Sequence, residues 1–589
     1  MKRPPLTHLA LGATLVALAA GAAWAVILAP RLTINGHDAQ SRSGSVLAIA
    51  DVLGNDGIVD LLVGAPGYES GEAPGATQNA DSNAPNGPTG EVLIYAGITD
   101  GIVNTGPEHE PRVVLHGANP GDRFGAAVQV GDVTGDSVKD VIVSAILASG
   151  HDAPRTGCVY VFSGVDITAA ITNNPDPMTM PEIGTHDAVA EVCGSQYREH
   201  FGRALALGEF DTHAGLDIAV GSPWYSADHG HDDPGHPYDK YLAGAVYLIS
   251  NEEIAMFIDG LTAEIHAPLT PGEGWTAAYG ENLLAMGDID ASIPTVDELL
   301  IFATGAENHG HSGRGRAYLA TWDPDGHSVG DPPEGFENPL VVIRGTGSMG
   351  TGDPNFIGNL NGDAISEIGI ASSTGGRTPA NGTDTNSAGG LYVVNGDLLG
   401  PAYTPYLKTV NLDGSVTEVV NQLGDVSLAA ITGELAQDKF GTSMAALDDL
   451  NNDGTPDFAV GAPWADGAVV DVNGDIIARN VISGSVYVIS GGDIVSPANS
   501  ANRFKFKVRG TVGAPIISEL LGRSNDRFGE ALASADMRNN VSNATALDLL
   551  IGAPDRDPAD PSATTQSDDV PGTDSNDNRG AVLIETFVP

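Results

Sequence analysis

The sequence predicts an all-β protein: a seven-bladed β-propeller of four-stranded antiparallel blades, whose last blade is closed by an N-terminal strand. Three observations predict this fold. A three-part motif recurs seven times along the 589 residues, each unit holds several short apolar segments, and the chain begins with the segment that its last unit lacks. Four short strands per unit, repeated radially, are the sequence signature of a propeller.

The central part of each unit is an acidic loop followed by a short apolar strand that ends in small residues. Its seven copies are Asp51–Pro66, Asp132–Ile146, Glu209–Pro223, Asp288–Ala306, Asn359–Ser373, Asp449–Pro463 and Asp536–Pro554. The last acid of the loop recurs on average about every 81 residues. The chain also has 76 Gly and 37 Pro without a collagen-like period, which indicates strands joined by turns.

Two further elements accompany each loop. An aromatic-Gly pair or its remnant precedes it at Ser43-Gly44, Phe124-Gly125, Phe201-Gly202, Tyr279-Gly280, Met349-Gly350, Phe440-Gly441 and Phe528-Gly529. A strand led by glycine follows it, starting at Gly90, Gly157, Gly244, Gly315, Gly389, Gly484 and Gly580. The fixed order of the three parts predicts that each unit forms one blade.

A fourth apolar strand often precedes the aromatic-Gly pair, as in Arg112–Gly117, Leu340–Gly345 and Phe504–Gly510. The last unit stops at its third strand, Gly580–Phe587, while Arg31–Gly36 near the start of the chain matches the fourth-strand pattern. We therefore expect the N-terminal strand to complete the last blade, which leaves no gap in the ring.

The only two cysteines belong to the second unit. Cys158 starts its third strand and Cys193 ends its fourth. In an antiparallel hairpin the start of one strand lies beside the end of the next, so a disulfide between them is geometrically feasible. The alternative is two buried, unpaired thiols.

The N-terminus has the pattern of an export signal. Lys2 and Arg3 precede an apolar run from Leu9 to Ala25, where the Ala-Trp-Ala sequence fits a cleavage site. The apolar run continues to residue 29, so an uncleaved membrane anchor is the alternative. The predicted organisation is a signal at 1–25, or an anchor to about 29, and one propeller at 30–589. Either version places the protein outside the cytoplasm, secreted or at the cell surface.

The net charge is −49, from 76 acidic and 27 basic side chains. A chain this acidic repels phosphate backbones, which argues against nucleic acid as a partner. Its carboxylates either solvate the surface or bind hard cations such as calcium.

The aromatic-Gly pair, the acidic loop and the Gly-Ala-Pro that ends the second strand in units such as Asp51–Pro66 and Asp449–Pro463 resemble the FG-GAP repeats of the integrin α-subunit propeller. The resemblance covers nearly all of the chain after the signal. It implies seven four-stranded blades, calcium in some hairpins between first and second strands, and ligand binding at the opposite face. The longer period, the degraded loops and the lack of following leg domains make the chain similar to a stand-alone, microbial FG-GAP protein.

Calcium takes six to eight oxygen ligands, which acidic or amide side chains alternating along a tight loop can supply. The sixth loop offers Asp449, Asn451, Asp453, Asp457 and the carbonyl of Thr455; the second offers Asp132, Thr134, Asp136, Asp140 and the carbonyl of Val138; the fifth offers Asn359, Asn361, Asp363, Glu367 and the carbonyl of Ile365. Weaker candidates are Glu209, Asp211 and Asp217 in the third loop and Asp51, Asp56 and Asp60 in the first. The alternative is that these side chains only cap turns. The fourth and seventh loops are expected to bind no metal.

Long loops between second and third strands should lie opposite the acidic loops. The segment 228–239 is rich in His and Asp, but its spacing matches no zinc signature. Trp224 and Trp464 hold equivalent positions after the second strand and either pack between blades or stack on sugars. Such loops either carry binding function or are solvated insertions.

The sequence has no His-Glu-x-x-His, no Gly-x-Ser-x-Gly and no phosphate-binding glycine loop followed by Lys. We therefore expect no enzyme, but a calcium-stabilised module for adhesion or for recognition of an extracellular protein or glycan. The main alternative is a propeller hydrolase or lyase acting on polysaccharide at the channel mouth, and a third is a surface-layer component.

Overall fold

The computed structural model describes residues 32–36, 41–67, 89–97, 111–150, 153–174, 180–211, 213–226, 244–258, 278–289, 296–304, 315–321, 341–344, 352–363, 365–372, 389–399, 407–410, 416–419, 421–422, 426–433, 438–465, 467–470, 476–480, 483–500, 506–508, 516–522, 526–535, 548–556 and 580–586. The N-terminal segment predicted as a signal and the His- and Asp-rich segment 228–239 lie outside these ranges.

The strands of the first half are β1 (Leu32–Asn35), β2 (Val46–Ala50), β3 (Asp60–Ala65), β4 (Glu91–Tyr95), β5 (Val113–His116), β6 (Phe124–Gly131), β7 (Asp140–Ala145), β8 (Cys158–Phe162), β9 (Glu182–Gly184), β10 (Ala190–Cys193), β11 (Leu205–Gly208), β12 (Asp217–Ser222), β13 (Ala245–Ile249), β14 (Tyr279–Gly287), β15 (Glu298–Ala303), β16 (Arg316–Ala320) and β17 (Val341–Arg344). Those of the second half are β18 (Asn355–Gly358), β19 (Glu367–Ser372), β20 (Gly390–Val394), β21 (Leu407–Val410), β22 (Val416–Val419), β23 (Asn421–Gln422), β24 (Ser427–Thr432), β25 (Met444–Ala446), β26 (Phe458–Ala462), β27 (Gly467–Val470), β28 (Ile476–Asn480), β29 (Ser485–Ile489), β30 (Phe506–Lys507), β31 (Ile516–Leu521), β32 (Leu532–Ala535), β33 (Asp548–Ala553) and β34 (Ala581–Thr586). The helices are α1 (Gly164–Asn173), α2 (Asn251–Ile258) and α3 (Gly491–Val495), with 3₁₀ turns at Thr185–Asp187, Gly396–Leu399 and Pro497–Asn499.

Seven sheets form the blades, and within each blade neighbouring strands are antiparallel. In order from the first strand outward the blades are β2-β3-β4-β5, β6-β7-β8-β10, β11-β12-β13, β14-β15-β16-β17, β18-β19-β20-β24, β25-β26-β29-β31 and β32-β33-β34-β1. Residues 259–277, where the fourth strand of the third blade is expected, lie outside the described ranges. Two small hairpins, β21-β22 and β27-β28, stand apart from the blades. The predicted seven-bladed propeller is confirmed.

The N-terminal strand closes the ring as expected. β1 pairs antiparallel with β34, with Leu32 opposite Ile584 and Asn35 opposite Ala581. In addition, β32 of the seventh blade contacts β2 of the first. Both ends of the chain are therefore built into one blade, which ties the first and last repeats together.

In the described ranges, the buried apolar side chains form seven clusters, each lying between two adjacent blades. Side chains alternate along each strand. In β7, Val141 and Val143 pack toward the first blade, and Ile142 packs toward the third. Because both faces of a blade are covered, its inner strands have continuous apolar stretches rather than an alternating pattern.

The motif residues are explained by this packing. The Phe201 ring packs edge-on against Tyr247 in the third strand of its own blade, with ring centroids 5.0 Å apart. Gly157, which leads the third strand of the preceding blade, has φ +91°, and a Cβ there would collide with the carbonyl oxygen of Phe201. The aromatic-Gly pair and the glycine before the third strand are thus two sides of one contact between blades.

The assignment of Phe504–Gly510 as a fourth strand was wrong. The fourth strand of the sixth blade is β31, which pairs with β29, whereas β30 pairs in parallel with β24 of the fifth blade. β9 and β23 likewise add a parallel fifth strand to the first and fourth blades. In each case, the connection between the third and fourth strands of one blade reaches back to cover the edge of the preceding blade.

A disulfide joins Cys158 and Cys193, which lie opposite each other on β8 and β10. No helix of the described ranges is long and apolar enough to cross a membrane.

Candidate metal-binding loops

The acidic loops connect the first and second strands of each blade. Because neighbouring strands are antiparallel, these loops lie at one end of the ring, and the connections between second and third strands lie at the other. The structure thus places the equivalent acids of the different repeats at one face of the propeller.

In the sixth loop the side-chain oxygens hydrogen-bond to the backbone of the same loop. Asp449 accepts from the N–H groups of Asp453 (2.9 Å) and Gly454 (2.6 Å). Asn451 Oδ1 also accepts from Asp453 N, at 3.0 Å, and Asp453 accepts from Thr455 N, also at 3.0 Å. This compact turn places the four side chains that are predicted to bind calcium within nine residues of one another.

The second loop has the same arrangement. Asp132 accepts from the N–H groups of Gly135 (2.7 Å), Asp136 (3.1 Å) and Ser137 (2.8 Å). Asp136 in turn accepts from Val138 N, at 2.8 Å. The repeated geometry follows from the repeated spacing, since acids at the first and fifth positions can cap the same turn.

The fifth loop replaces the first acid by an amide. Asn359 Oδ1 accepts from Gly362 N at 2.7 Å, and Asn361 Oδ1 accepts from Asp363 N at 2.8 Å. Asn361 also donates its amide to Asp363 Oδ2, at 2.6 Å, and Asp363 Oδ1 accepts from Ile365 N.

The last acid of each loop has a structural role that was not predicted. Asp140 is fully buried; Oδ2 accepts from Val133 N (3.0 Å) and Thr134 N (2.9 Å), and Oδ1 accepts from Gly164 N (3.1 Å). Asp60, Asp217 and Asp457 accept the equivalent bond from the second residue after the third strand, which is Gly97, Asn251 or Gly491. This carboxylate therefore ties the acidic loop to the end of the third strand. A glycine recurring after that strand was the available signal.

Burial and neighbouring charge act together on these final acids. Burial raises the pKa of Asp457 to about 6; hydrogen bonds from Leu450 and Gly491 oppose the shift, and the charges of Asp453 and Asp449 add to it. Burial likewise raises the pKa of Glu367 to about 7, with the charge of Asp363 adding to the effect. Each loop thus concentrates negative charge that a cation would stabilise.

The third loop carries an imidazole among its acids. His213 Nδ1 lies 3.3 Å from Asp211 Oδ2, and its Nε2 lies 3.8 Å from Glu252 Oε1. The hydrogen bond and charge of Asp211 raise the pKa of His213. Asp217 is buried as in the other loops, whereas the backbone N–H of Glu209 bonds to Asp297 of the fourth blade. An imidazole therefore occupies the position that an acid holds in the second, fifth and sixth loops.

The first loop is longer, and its acids are more dispersed. Asp51 accepts from Gly57 N at 2.7 Å, and Asp56 accepts from Ile58 N at 2.9 Å. Asp60 is buried against Val52 and Leu53, whose N–H groups it accepts from. Most of the fourth and seventh acidic loops lies outside the described ranges.

The donor chemistry of these loops fits a hard cation. Carboxylate, amide and carbonyl oxygens are the ligands that calcium takes. Two oxygens at predicted ligand positions, Asp51 Oδ1 and Glu367 Oε1, are buried without a hydrogen-bond partner among the described residues. Within the same ranges, the only set of three or more metal-binding side chains with ligand atoms within 4.8 Å of one another is Cys158, Glu191 and Cys193, of which both cysteines are in the disulfide.

A second repeated feature occurs just before the aromatic-Gly pair, at the opposite end of the ring. A residue with positive φ stands there at Arg42, Arg123, His200, Ala278, Lys439 and Arg527. The sequence analysis did not predict this feature. A signal was present, since an acid, a basic residue, Phe and Gly follow one another from Asp122, Glu199, Asp438 and Asp526.

Arg42, Lys439 and Arg527 contact the second residue after a second strand. Trp464 lies between Lys439 and Arg527, with Nζ 4.6 Å and Cζ 4.9 Å from the ring centroid. Asp555, at the equivalent position of the seventh blade, accepts from Arg527 at 2.8 Å and lies 3.5 Å from Arg42 of the first blade. The contacts form a continuous arc over the seam where the ring closes.

Comparison with known proteins places these features in context. No family model matches the chain. Phosphatidylinositol-glycan-specific phospholipase D of Bos taurus is 28% identical over 209 residues, which are 35% of this chain and 21% of that protein. Integrin alpha-PS2 of Drosophila melanogaster is 32% identical over 203 residues, 33% of this chain and 12% of the integrin. Integrin alpha-X of Mus musculus is 31% identical over 198 residues, 33% of this chain and 14% of the integrin. The chain thus spans about a fifth or less of the length of these relatives.

Proposed function

We propose that this chain, an integrin-α-like FG-GAP β-propeller, is an exported, calcium-binding module for adhesion or recognition of an extracellular protein or glycan. The observation that carries the proposal is the equivalence of three loops. The second, fifth and sixth blades present the same alternating oxygen donors on the same hairpin of a rigid ring.

In the sixth blade, calcium would be held by the side chains of Asp449, Asn451, Asp453 and Asp457 and by the Thr455 carbonyl. In the other two blades, the ligands would come from Asp132, Thr134, Asp136, Val138 and Asp140 and from Asn359, Asn361, Asp363, Ile365 and Glu367. The bound ion supplies positive charge and no redox chemistry. Its role is structural, because an ion that binds only the folded chain stabilises it by linkage.

Export is supported by two features. The N-terminal apolar segment has the composition of a signal, and the Cys158–Cys193 disulfide fits an oxidising compartment. Attachment to a membrane would follow only if that segment is retained as an anchor.

A recognition role is supported by the separation of the acidic loops from the connections at the opposite end of the ring. Calcium loops at one end stabilise the scaffold, which leaves the connections at the other end available for a ligand. The similarity to integrin α subunits favours the same division. No specific ligand follows from that similarity, since it covers a small part of those proteins.

Calcium titration tests the proposal. Isothermal titration of the chelator-treated protein should give about three sites, and thermal melting should show a higher Tm with calcium than with a chelator. Magnesium at the same concentration is the control, because it prefers octahedral sites with several bound waters. Absence of both heat and Tm shift would overturn the calcium assignment.

A propeller hydrolase or lyase is the second candidate. A polar cleft of about 260 Å3 lies at the end of the second blade opposite the acidic loops and includes Asp122, Glu191 and Tyr160. Paired carboxylates serve as acid and base in glycoside hydrolysis, and some relatives are named as phospholipases. A broad hydrolase screen tests this candidate: turnover that is lost in both Asp122→Asn and Glu191→Gln would favour an enzyme.

A further inference from the structure

Two aromatic side chains are exposed where the second and third blades meet, at the end of the ring opposite the acidic loops. Among the described residues, the exposed large apolar side chains are Val165, Tyr197, Trp224, Met256 and Ile258. Tyr197 is 58% exposed and Trp224 is 43% exposed, and they are the only aromatic members of this set. A single exposed apolar residue is ordinary, so the relation between these two must carry the argument.

The loops that bear them are joined by hydrogen bonds. Tyr197 lies in the connection between β10 and β11, and Trp224 follows β12. The amide of Gln196 makes two bonds to the Ser226 backbone, Nε2 to the carbonyl at 3.1 Å and Oε1 to the N–H at 3.0 Å. The N–H of Trp224 donates to the Glu199 carbonyl at 3.2 Å. The two aromatic residues therefore belong to one braced surface.

The buried carboxylate of Glu199 holds the two loops in place through hydrogen bonds. Glu199 is fully buried; Oε1 accepts from Gln196 N at 2.7 Å, and Oε2 accepts from Ser222 Oγ and Tyr247 Oη, both at 3.1 Å. Each bond reaches a different segment of the second and third blades. Such preorganisation lowers the entropy that ligand binding would otherwise cost.

A basic side chain lies against each exposed ring. The imidazole of His200 stacks on Trp224, with centroids 4.1 Å apart and planes inclined by 21°. Arg198 Cζ lies 5.3 Å from the centroid of the Tyr197 ring. These contacts orient the two rings, which remain 58% and 43% exposed.

Among the described residues, the side chains that contact the two rings are basic, whereas the protein as a whole is acidic. Arg198 and His200 flank the buried Glu199, and the N–H of Arg198 donates to the carbonyl of Arg155 at 2.9 Å. Few such groups are available, because the chain has 27 Lys and Arg and a net charge of −49. The Arg198 guanidinium beside these rings can pair with an anionic ligand that most of so acidic a surface repels.

We propose that Tyr197, Arg198, His200 and Trp224 form a binding site for an acidic glycan. The C–H face of a sugar ring is flat and apolar and can lie on an exposed aromatic ring, while its carboxylates accept hydrogen bonds from the Arg198 guanidinium and a ring N–H of His200. An acidic peptide is disfavoured, since peptide anchors need a deep pocket and these rings stand on an open surface. This inference rests on the recognition function proposed above and specifies its ligand class.

The test uses the full chain in calcium with oligogalacturonate as the acidic probe, a neutral galactan oligosaccharide of equal length, and a poly-glutamate peptide. We expect calorimetric binding of oligogalacturonate, weakened by added salt, and no binding of the other two. Trp224→Ala and Tyr197→Ala should each raise the Kd at least about tenfold. Trp224→Phe should recover most of the affinity, and Met256→Ala, which removes an exposed side chain elsewhere, should have no effect.

Each alternative outcome has a defined meaning. Equal binding of the neutral oligosaccharide would overturn the acidic specificity, and equal binding of poly-glutamate with the same dependence on Trp224 would assign the surface to peptides instead. Failure of all three probes, in a chain that still binds calcium and captures a protein ligand, would overturn only this inference. Failure of calcium binding as well would overturn the proposed function itself.

Discussion

The carboxylate of Asp140 accepts a hydrogen bond from the backbone N–H of Gly164 at 3.1 Å, which joins the acidic loop of the second blade to the start of α1. Three blades repeat the bond with Asp60, Asp217 and Asp457. The last loop acid therefore has a structural role that does not depend on a metal ion.

Asp140→Ala should destabilise the protein even when calcium is chelated. The change removes the only acceptor found for the buried Gly164 N–H and the half-buried Thr134 N–H, and it leaves Val133 N–H with its bond to the Gly131 carbonyl. We expect a cost of about 2 kcal/mol. Urea unfolding in the presence of a chelator measures this loss of stability. Asp136→Ala is the matched control, because Asp136 is exposed and accepts only one of the hydrogen bonds found in this loop. Equal effects of the two changes would contradict the structural role of Asp140.

Asp453→Ala should remove one calcium site and lower the Tm by more in calcium than in chelator. Asp453 is the central donor of the sixth loop, and its carboxylate also accepts from Ser490 Oγ at 3.2 Å. Titration calorimetry should show about one site fewer than in the unaltered chain. Asp166→Ala, which removes an exposed acid from α1, is the control and should leave the stoichiometry unchanged. An unchanged stoichiometry in the Asp453 variant would exclude the sixth loop as a site.

His213→Asp should create a calcium site in the third loop. The imidazole stands beside Asp211 and Glu252 where other loops carry an acid, so the substitution restores the donor pattern. Terbium luminescence and calorimetry should both report one additional site. His213→Ala is the control, since it removes the imidazole without adding a ligand. A gain of binding in both variants would mean that the imidazole merely blocks an existing site.

Glu585→Gln should stabilise the protein at pH 8 and have little effect at pH 4. Burial raises the pKa of Glu585 to about 7 from an ordinary 4.5. The folded chain therefore binds this proton more tightly than the unfolded chain, and stability contributed by the protonated form is lost as the pH rises from about 4.5 to 7. Glutamine keeps the shape without the charge. Parallel melting curves of the two proteins at pH 4 and pH 8 measure the effect, and an equal difference at both values would refute it.

Asp555→Asn should weaken the seam of the ring by about 1–2 kcal/mol. Its carboxylate contacts Arg527 of its own blade and Arg42 of the first blade, and it is only 15% exposed. Breaking a partly buried ion pair lowers the free energy of unfolding by more than breaking an exposed one. Asp187→Asn is the control, because its contact with His186 is largely exposed. Denaturant unfolding of both variants tests the difference, and the prediction fails if neither loses stability.

The repeat made much of the fold predictable. The alternation of Val141, Ile142 and Val143 between two cores follows from strand geometry, and the pairing of β1 with β34 follows from the missing fourth strand of the last unit. Residues 504–510 were assigned to the wrong blade. A short apolar segment shows that it forms a strand, but the neighbour with which it pairs depends on which sheet edge is within reach.

By itself, the sequence determined the number of blades, the order of their strands and the positions of the acidic loops, because these depend on local pattern and on its repetition. The tertiary structure alone decided that Asp140 bonds to Gly164 across the blade, that Asp555 joins the first and last blades, and that Tyr197 and Trp224 share one surface. The physical reason is that contacts between residues far apart in the chain depend on how the strands twist and pack, which no local spacing records.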